Sequence, residues 1–197
     1  MKFINRIIFC AATVAAGCAA GCASAPKSNP LAFTEQALLM TDLVKANAFE
    51  KGSAAERAAI QQFKTFNSDY SAANITNNLK KVYADGVYFR DPFKEIHSEP
   101  ELEDYLLRTS KAVAEFSMDW RDVAEHDGDY YFRWIMSVKL KRDGKNQPPN
   151  LTTGISHVRF GPDGTVIFHQ DYFDAGAFLY EKIPVLGSEI RFIKKRI

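Results

Sequence analysis

Between Ser53 and Val113 the apolar residues recur at three- and four-residue intervals, the spacing of helices with one buried face. Ser53-Ala54-Ala55-Glu56 has the form of a capping box, and Ala58, Ala59, Gln62, Phe63 and Phe66 follow it. A helix to about Phe66 is predicted. A shorter one covers Ile75 to Tyr83, with Leu79, Val82 and Tyr83 inward. Ser98-Glu99-Pro100-Glu101 opens another, since proline in the first turn needs no donor and Glu can cap. Leu102, Tyr105, Leu106, Thr109 and Val113 form its stripe. Upstream, residues 34–50 carry Leu38, Leu39, Leu43, Val44 and Ala48 at helical spacing, ending near Gly52.

From Met118 onward the period drops to 2. Tyr130, Phe132, Trp134, Met136, Val138 and Leu140 alternate with Tyr131, Arg133, Ser137 and Lys139, so a strand here has one apolar face. Asp127-Gly128, Asp143-Gly144 and Gly161-Pro162-Asp163-Gly164 supply turn chemistry. The predicted strands are about 118–126, 129–142, 150–160 and 164–174, an antiparallel meander, with a short earlier strand from Val87 to Asp91. Helices followed by a long-stranded sheet make an α+β protein. Such a curved antiparallel sheet, its concave face covered by N-terminal helices, is expected to form a cone-shaped barrel with an internal pocket, where small-molecule sites form.

The first 22 residues change the picture, because they read as an export signal. Lys2 and Arg6 precede an apolar run from Ile7 to Ala16, half the roughly twenty residues a membrane-spanning helix needs. Ala15-Ala16-Gly17-Cys18 and Ala19-Ala20-Gly21-Cys22 resemble a bacterial lipobox, with Ala where Leu is usual. Cys22 is the expected lipidation site, because a polar tether from Ala23 to Pro30 follows it; Cys18 is the alternative, and an ordinary cleaved signal is the plainer one. The expected organisation is a signal at 1–21, a tether at 22–33 and a single domain at 34–197 with an extra N-terminal helix. This implies a chain in the bacterial cell envelope, membrane-bound through a lipid anchor and facing the periplasm. With 46% hydrophobic residues, and 25 Lys+Arg against 24 Asp+Glu, the protein is globular and not a nucleic-acid binder. The terminal Arg191–Ile197 segment is basic and amphipathic: a surface for anionic lipid, or a solvated helix end.

Chemistry concentrates in two places. In Val87-Tyr88-Phe89-Arg90-Asp91-Pro92-Phe93, alternation sets Asp91 beside apolar neighbours, where desolvation would raise its pKa toward that of a general base. The competing role is structural: accepting backbone N–H groups before Pro92, or pairing with an arginine. In His169-Gln170-Asp171-Tyr172-Phe173-Asp174, His169 and Asp171 share a face and can form an acid/base unit, or a pair that ties down the strand end. Trp134, Phe93 and Tyr172 are the expected ligand-binding residues, although aromatic stripes are usually core. The four histidines are scattered and no phosphate loop or GxSxG elbow occurs, so neither a metal nor a cofactor is expected.

At these residues the chain resembles the SnoaL-like branch of the nuclear transport factor 2-like superfamily. The resemblance runs from about Ala54 to Ile197. It rests on Tyr83-Ala84-Asp85 leading to Phe89–Phe93, on Ile155-Ser156-His157-Val158-Arg159-Phe160, on His169-x-Asp171-Tyr172-x-Asp174, and on the closing Tyr180–Gly187 segment. It implies a cone fold with a hydrophobic pocket, often a homodimer through the outer sheet surface. Asp91 falls where ketosteroid isomerase of that superfamily carries its proton-abstracting Asp. That enzyme's oxyanion donors are replaced, by Ser156 on the strand and Asn67 on the helix, with Tyr70 close by. In SnoaL-type cyclases a pocket Asp and His act as acid/base groups, and His169 and Asp171 are the counterparts by motif. The expectation is an envelope lipoprotein that binds a small apolar molecule, with cofactor-free isomerase, cyclase or hydratase chemistry. The alternative is a non-catalytic accessory lipoprotein that uses the cone for protein contacts.

Overall fold

The computed structural model describes residue 29 and residues 31–46, 48–183 and 185–197. The export signal, Cys18, Cys22 and most of the tether lie outside the described residues. Contacts divide the chain into two units at Glu35. In the first, the Asn29 side chain accepts the Leu31 N–H and donates to Glu35, at the opening of helix α1 (Ala32–Lys45). The second unit, residues 36–197, holds the rest of α1 and every later element.

These are α2 (Ala54–Asn67), α3 (Ala72–Val82), β1 (Tyr83–Arg90), β2 (Glu95–Ile96), α4 (Glu99–Ser110), β3 (Val113–His126), β4 (Asp129–Leu140), β5 (Asn150–Phe160), β6 (Val166–Phe173), α5 (Ala175–Phe178), a 3₁₀ turn (Tyr180–Lys182) and α6 (Leu186–Lys194). Local chemistry explains their ends. Ser53 Oγ accepts the Glu56 N–H at 3.1 Å, while the Glu56 carboxylate takes the N–H of Gly52 rather than that of Ser53. Ser71 caps α3 in the same way. Asp127 and Gly128 both have positive φ, 49° and 77°, which two-residue hairpin turns require.

The strands form one curved, unclosed six-stranded sheet in the order β2-β1-β6-β5-β4-β3. The meander from β3 to β6 is antiparallel throughout, as its hairpin turns dictate. The sheet as a whole is mixed, which corrects the all-antiparallel expectation: β1 lies parallel to β6, pairing Phe89 with His169 and Arg90 with Gln170. Connectivity is the reason. Tight hairpins force antiparallel neighbours, whereas β1 and β6 are joined through α4 and four strands, a crossover long enough for parallel pairing. β2 and β3 remain as edges, so the barrel does not close.

Phe63 and Phe66 of α2, Ile75 and Leu79 of α3 and Leu102 of α4 pack against Phe132, Trp134, Val158 and Phe160 of the inner sheet face. The Phe63 ring lies 4.6 Å from Phe132 and 5.2 Å from His169, so aromatic rings fill much of the concave side.

Residues 36–45 of α1 lie on the opposite face. Ala37 and Leu38 meet Tyr88 and Phe168, and the Asp129 carboxylate gathers three side chains: Arg159 and His157 on Oδ1 (2.5 and 2.6 Å) and Lys45 on Oδ2. Arg159 also donates to the Leu38 carbonyl at 2.6 Å and to Thr41 Oγ1 at 2.9 Å. Burial alone would raise the Asp129 carboxyl, but the bonds from Arg159, Lys45 and His157 outweigh it and hold its pKa at about 2. The His157 pKa is lowered by burial, because the one negative charge beside it is already shared with two permanent cations. The apolar stripe expected on α1 is only partly used: Leu39 and Leu43 are 78% and 81% exposed, since polar contacts dock the helix.

Candidate active site

Strand alternation sends Trp134, Ser156, His169 and Asp171 to the concave face from three adjacent strands, and the register sets Ser156 opposite Asp171. Hydrogen bonds join them in one line. The Trp134 indole N–H donates to Ser156 Oγ at 2.9 Å. An indole nitrogen can only donate, so this bond occupies a lone pair of the serine and leaves its O–H to donate to Asp171 Oδ1 at 2.5 Å. His169 Nε2 meets the same Oδ1 at 2.9 Å, and His169 Nδ1 lies 3.0 Å from the Tyr83 hydroxyl. Tyr83 also reaches Asn67 Oδ1, at 3.4 Å. Both bonds to Asp171 end on Oδ1; among the described residues no hydrogen bond reaches Oδ2.

Asp91 approaches from the other side. It lies just past the end of β1 rather than within the strand, because Pro92 turns the chain. Its Oδ1 accepts the N–H groups of Phe93 (2.8 Å) and Lys94 (2.7 Å), and its Oδ2 accepts the Tyr105 hydroxyl at 2.6 Å. The carboxylate therefore caps its own turn, as the structural alternative held. Burial nonetheless pushes its pKa above the ordinary carboxylate value, against those three bonds and with a contribution from the Asp171 charge. Burial likewise raises the Tyr105 phenol, beside the Asp91 charge, and takes Tyr70 up to about 12.

Asp91 and Asp171 line one open cleft of about 290 Å³ with Arg90, Pro92, Tyr172 and Phe173. It lies where β1 stops after pairing Arg90 with Gln170, leaving residues 171–173 of β6 without a partner on that side. Tyr172 is thus at the cleft. His169, 2% exposed, is not in its wall and meets it only through Asp171. Trp134, equally buried, supports the site through Ser156. Phe93 stacks edge-on against Phe173 at 5.7 Å, behind the cleft. Tyr83, Tyr105, Ser156 and Asn67 were not predicted as site residues. Ser156 and Asn67 had a signal, as the polar occupants of the two donor positions. A larger groove of about 520 Å³, between Tyr70, Lys111 and Lys141, touches none of the cleft residues. Among the described residues no three His, Cys, Asp or Glu side chains are grouped to hold a metal ion.

No family model matches the chain, and no curated protein matches it either. Solved structures do. An NTF2-like protein of unknown function from Exiguobacterium sp. 255-15 aligns with a TM-score of 0.51 at 12% identity, over 59% of this chain and 98% of that one. A hypothetical protein with a ketosteroid isomerase-like fold from Catenulispora acidiphila, in complex with trimethylamine, gives 0.52 at 10% identity, over 61% and 88%. A SnoaL-like polyketide cyclase candidate from Jannaschia sp. CCS1 gives 0.50 at 9% identity, over 64% and 92%. At such identities the likeness concerns the fold. This chain has the fold of NTF2-like, SnoaL-like and ketosteroid isomerase-like proteins.

Proposed function

We propose that this protein binds a small molecule in the cleft between Asp91 and Asp171 and moves a proton on it without a cofactor, in an isomerase, cyclase or hydratase type of reaction. One observation carries the reading: Asp171 Oδ2 has no hydrogen-bond partner among the described residues, while Oδ1 is locked by two donors. A carboxylate so held keeps one oriented lone pair for a ligand, which is what a general base requires. Asp171 is the proton acceptor and His169 the group that orients it. Asp91, with its raised pKa and its Tyr105 partner, is the second acid/base group. Pro92, Tyr172 and Phe173 offer the ligand its apolar contacts. The trimethylamine held by the Catenulispora protein supports reading this fold as a small-molecule holder.

Asp171→Asn tests the assignment. The amide oxygen can still accept from Ser156 and His169, but Oδ2 becomes a donor. In a turnover screen the rate falls by about 10²–10⁴-fold, the usual worth of a positioned base, with folding retained. Unchanged turnover refutes it. The accessory reading is favoured by the turn-capping bonds of Asp91; under it Asp171→Ala unfolds the sheet end and no ligand is bound.

The address is part of the proposal. Cleavage before Cys22 and its lipidation would anchor the chain in the bacterial envelope facing the periplasm. Incorporation of labelled palmitate, lost in Cys22→Ala and retained in Cys18→Ala, is the expected result.

A further inference from the structure

The Tyr83 hydroxyl has one proton and two acceptors. His169 Nδ1 is 3.0 Å away and Asn67 Oδ1 is 3.4 Å away. The orientation of the Asn67 amide follows from its other end, where Nδ2 donates to the Phe63 carbonyl at 2.9 Å. At the far side of the imidazole, Nε2 faces an oxygen of Asp171 and carries a hydrogen toward it. The arrangement therefore admits two hydrogen-bond patterns around the imidazole that differ by one proton. In the first, His169 is neutral and Tyr83 donates to Nδ1. In the second, Nδ1 has taken a proton and donates to the phenol oxygen, and the phenol O–H has turned to Asn67. Each pattern pairs both imidazole nitrogens and the phenol hydrogen; only the second also gives Asn67 Oδ1 a donor, so Asn67 favours the cationic form.

We propose that Tyr83 and Asn67 are positioning residues that let buried His169 hold either charge, and so set whether Asp171 stands beside a neutral or a cationic imidazole. Tyr83 suits this role because it keeps its proton throughout: it is 2% exposed, and burial pushes its phenol well above the ordinary value. The neighbours of His169 are otherwise apolar, Phe63 from α2 and Phe89 from β1, in edge contact at 5.2 and 5.1 Å. The ionisable groups facing this pocket are Asp171 and Tyr83 directly, with Tyr70, Tyr105 and Asp91 beyond them. A neutral imidazole leaves Asp171 the stronger base; a cationic one weakens it. That consequence rests on reading Asp171 as the ligand-facing base. The two hydrogen-bond patterns do not.

Imidazole ¹⁵N spectra of the full folded chain, recorded through the histidine titration range, decide the matter without a substrate. In the wild type, Nε2 of His169 stays protonated throughout and only Nδ1 gains a proton. Asn67→Leu removes the second acceptor, so the cationic form becomes about tenfold scarcer at a given pH, the worth of one hydrogen bond. Asn67→Asp shifts it the opposite way. In a Tyr83→Phe background Asn67→Leu has no effect of that size, whereas the Asn67→Asp charge still acts through space. Should Asn67→Leu fold poorly, Asn67→Ala reads the same loss. A neutral imidazole with its hydrogen on Nδ1, or an Asn67→Leu effect that persists undiminished without the Tyr83 hydroxyl, overturns the proposal. If instead these spectra behave as expected and Asp171→Asn retains full turnover, the switch stands and the acid/base function fails.

Discussion

The two faces of the sheet each carry a histidine–aspartate pair, and the two pairs do different work. On the outer face Asp129 receives His157, Arg159 and Lys45, and both of its oxygens are used. On the inner face Asp171 receives Ser156 and His169 on one oxygen and leaves the other toward a cleft. The same two residue types make a clamp where cations saturate the carboxylate, and a candidate site where they do not. What separates them is the number of donors supplied and the access of a ligand, not the identity of the pair.

Breaking the clamp has the largest expected effect on stability. Asp129→Ala leaves Arg159 and Lys45, both with nearly buried side chains, only the exposed Asp42 carboxylate, at 3.5 and 3.2 Å. A loss of about 3–5 kcal/mol is expected from urea denaturation, with the residues 36–45 segment of α1 the first to lose amide-exchange protection.

Next comes Gly154, which sharpens the comparison from the inner side. A Cβ there would sit 2.3 Å from Trp134 Cη2 and 2.8 Å from the Tyr172 carbonyl oxygen. Gly154→Ala should cost about 1–3 kcal/mol through overpacking and should move the indole off Ser156. The indole N–H resonance reports that shift, while the Asp129 cluster keeps its wild-type signals.

Acidification gives the smallest effect but separates the faces by sign. Asp129, held at about 2 in the folded chain against roughly 3.9 unfolded, contributes stability above about pH 4 and loses it as the pH falls from about 4 to about 2. His157, lowered by burial, begins to cost stability once the pH drops below about 6.5, where the unfolded chain takes up the proton first. Asp91 runs the other way: its raised pKa disfavours the fold at neutral pH, and that penalty is relieved as the carboxyl protonates. Denaturation midpoints followed toward low pH should therefore fall less steeply in Asp129→Asn than in the wild type, and more steeply in Asp91→Asn.

Much of this molecule was legible in its sequence. Period-2 alternation and glycine turns located β5 at its observed bounds and β4 and β6 to within two residues, because hairpin chemistry is local, while β3 begins at Val113, five residues before the expected start. The helix starts at Ser53 and Ser98 were readable for the same reason: Ser53 caps the N–H three residues on, and Pro100 marks the first turn after Ser98, which itself makes no side-chain cap bond. Within the site, the two-residue spacing of His169 and Asp171 put them on one face, where the structure joins them at 2.9 Å. Asp91 was found by its polar character in an apolar stretch, though its turn-capping bonds remained one alternative of two.

The amino-acid order alone determined the elements, their inward faces and the pairing of consecutive strands, because each depends on neighbours along the chain. The tertiary structure alone decided that β1 runs parallel to β6, that residues 36–45 of α1 pack on the outer face, and that Trp134, Ser156, Asp171, His169, Tyr83 and Asn67 form one line of hydrogen bonds. Those facts join residues as far apart as Asn67 and Asp171. Periodicity cannot carry them, because a hydrogen bond depends on distance in space and on which lone pairs other donors have already taken.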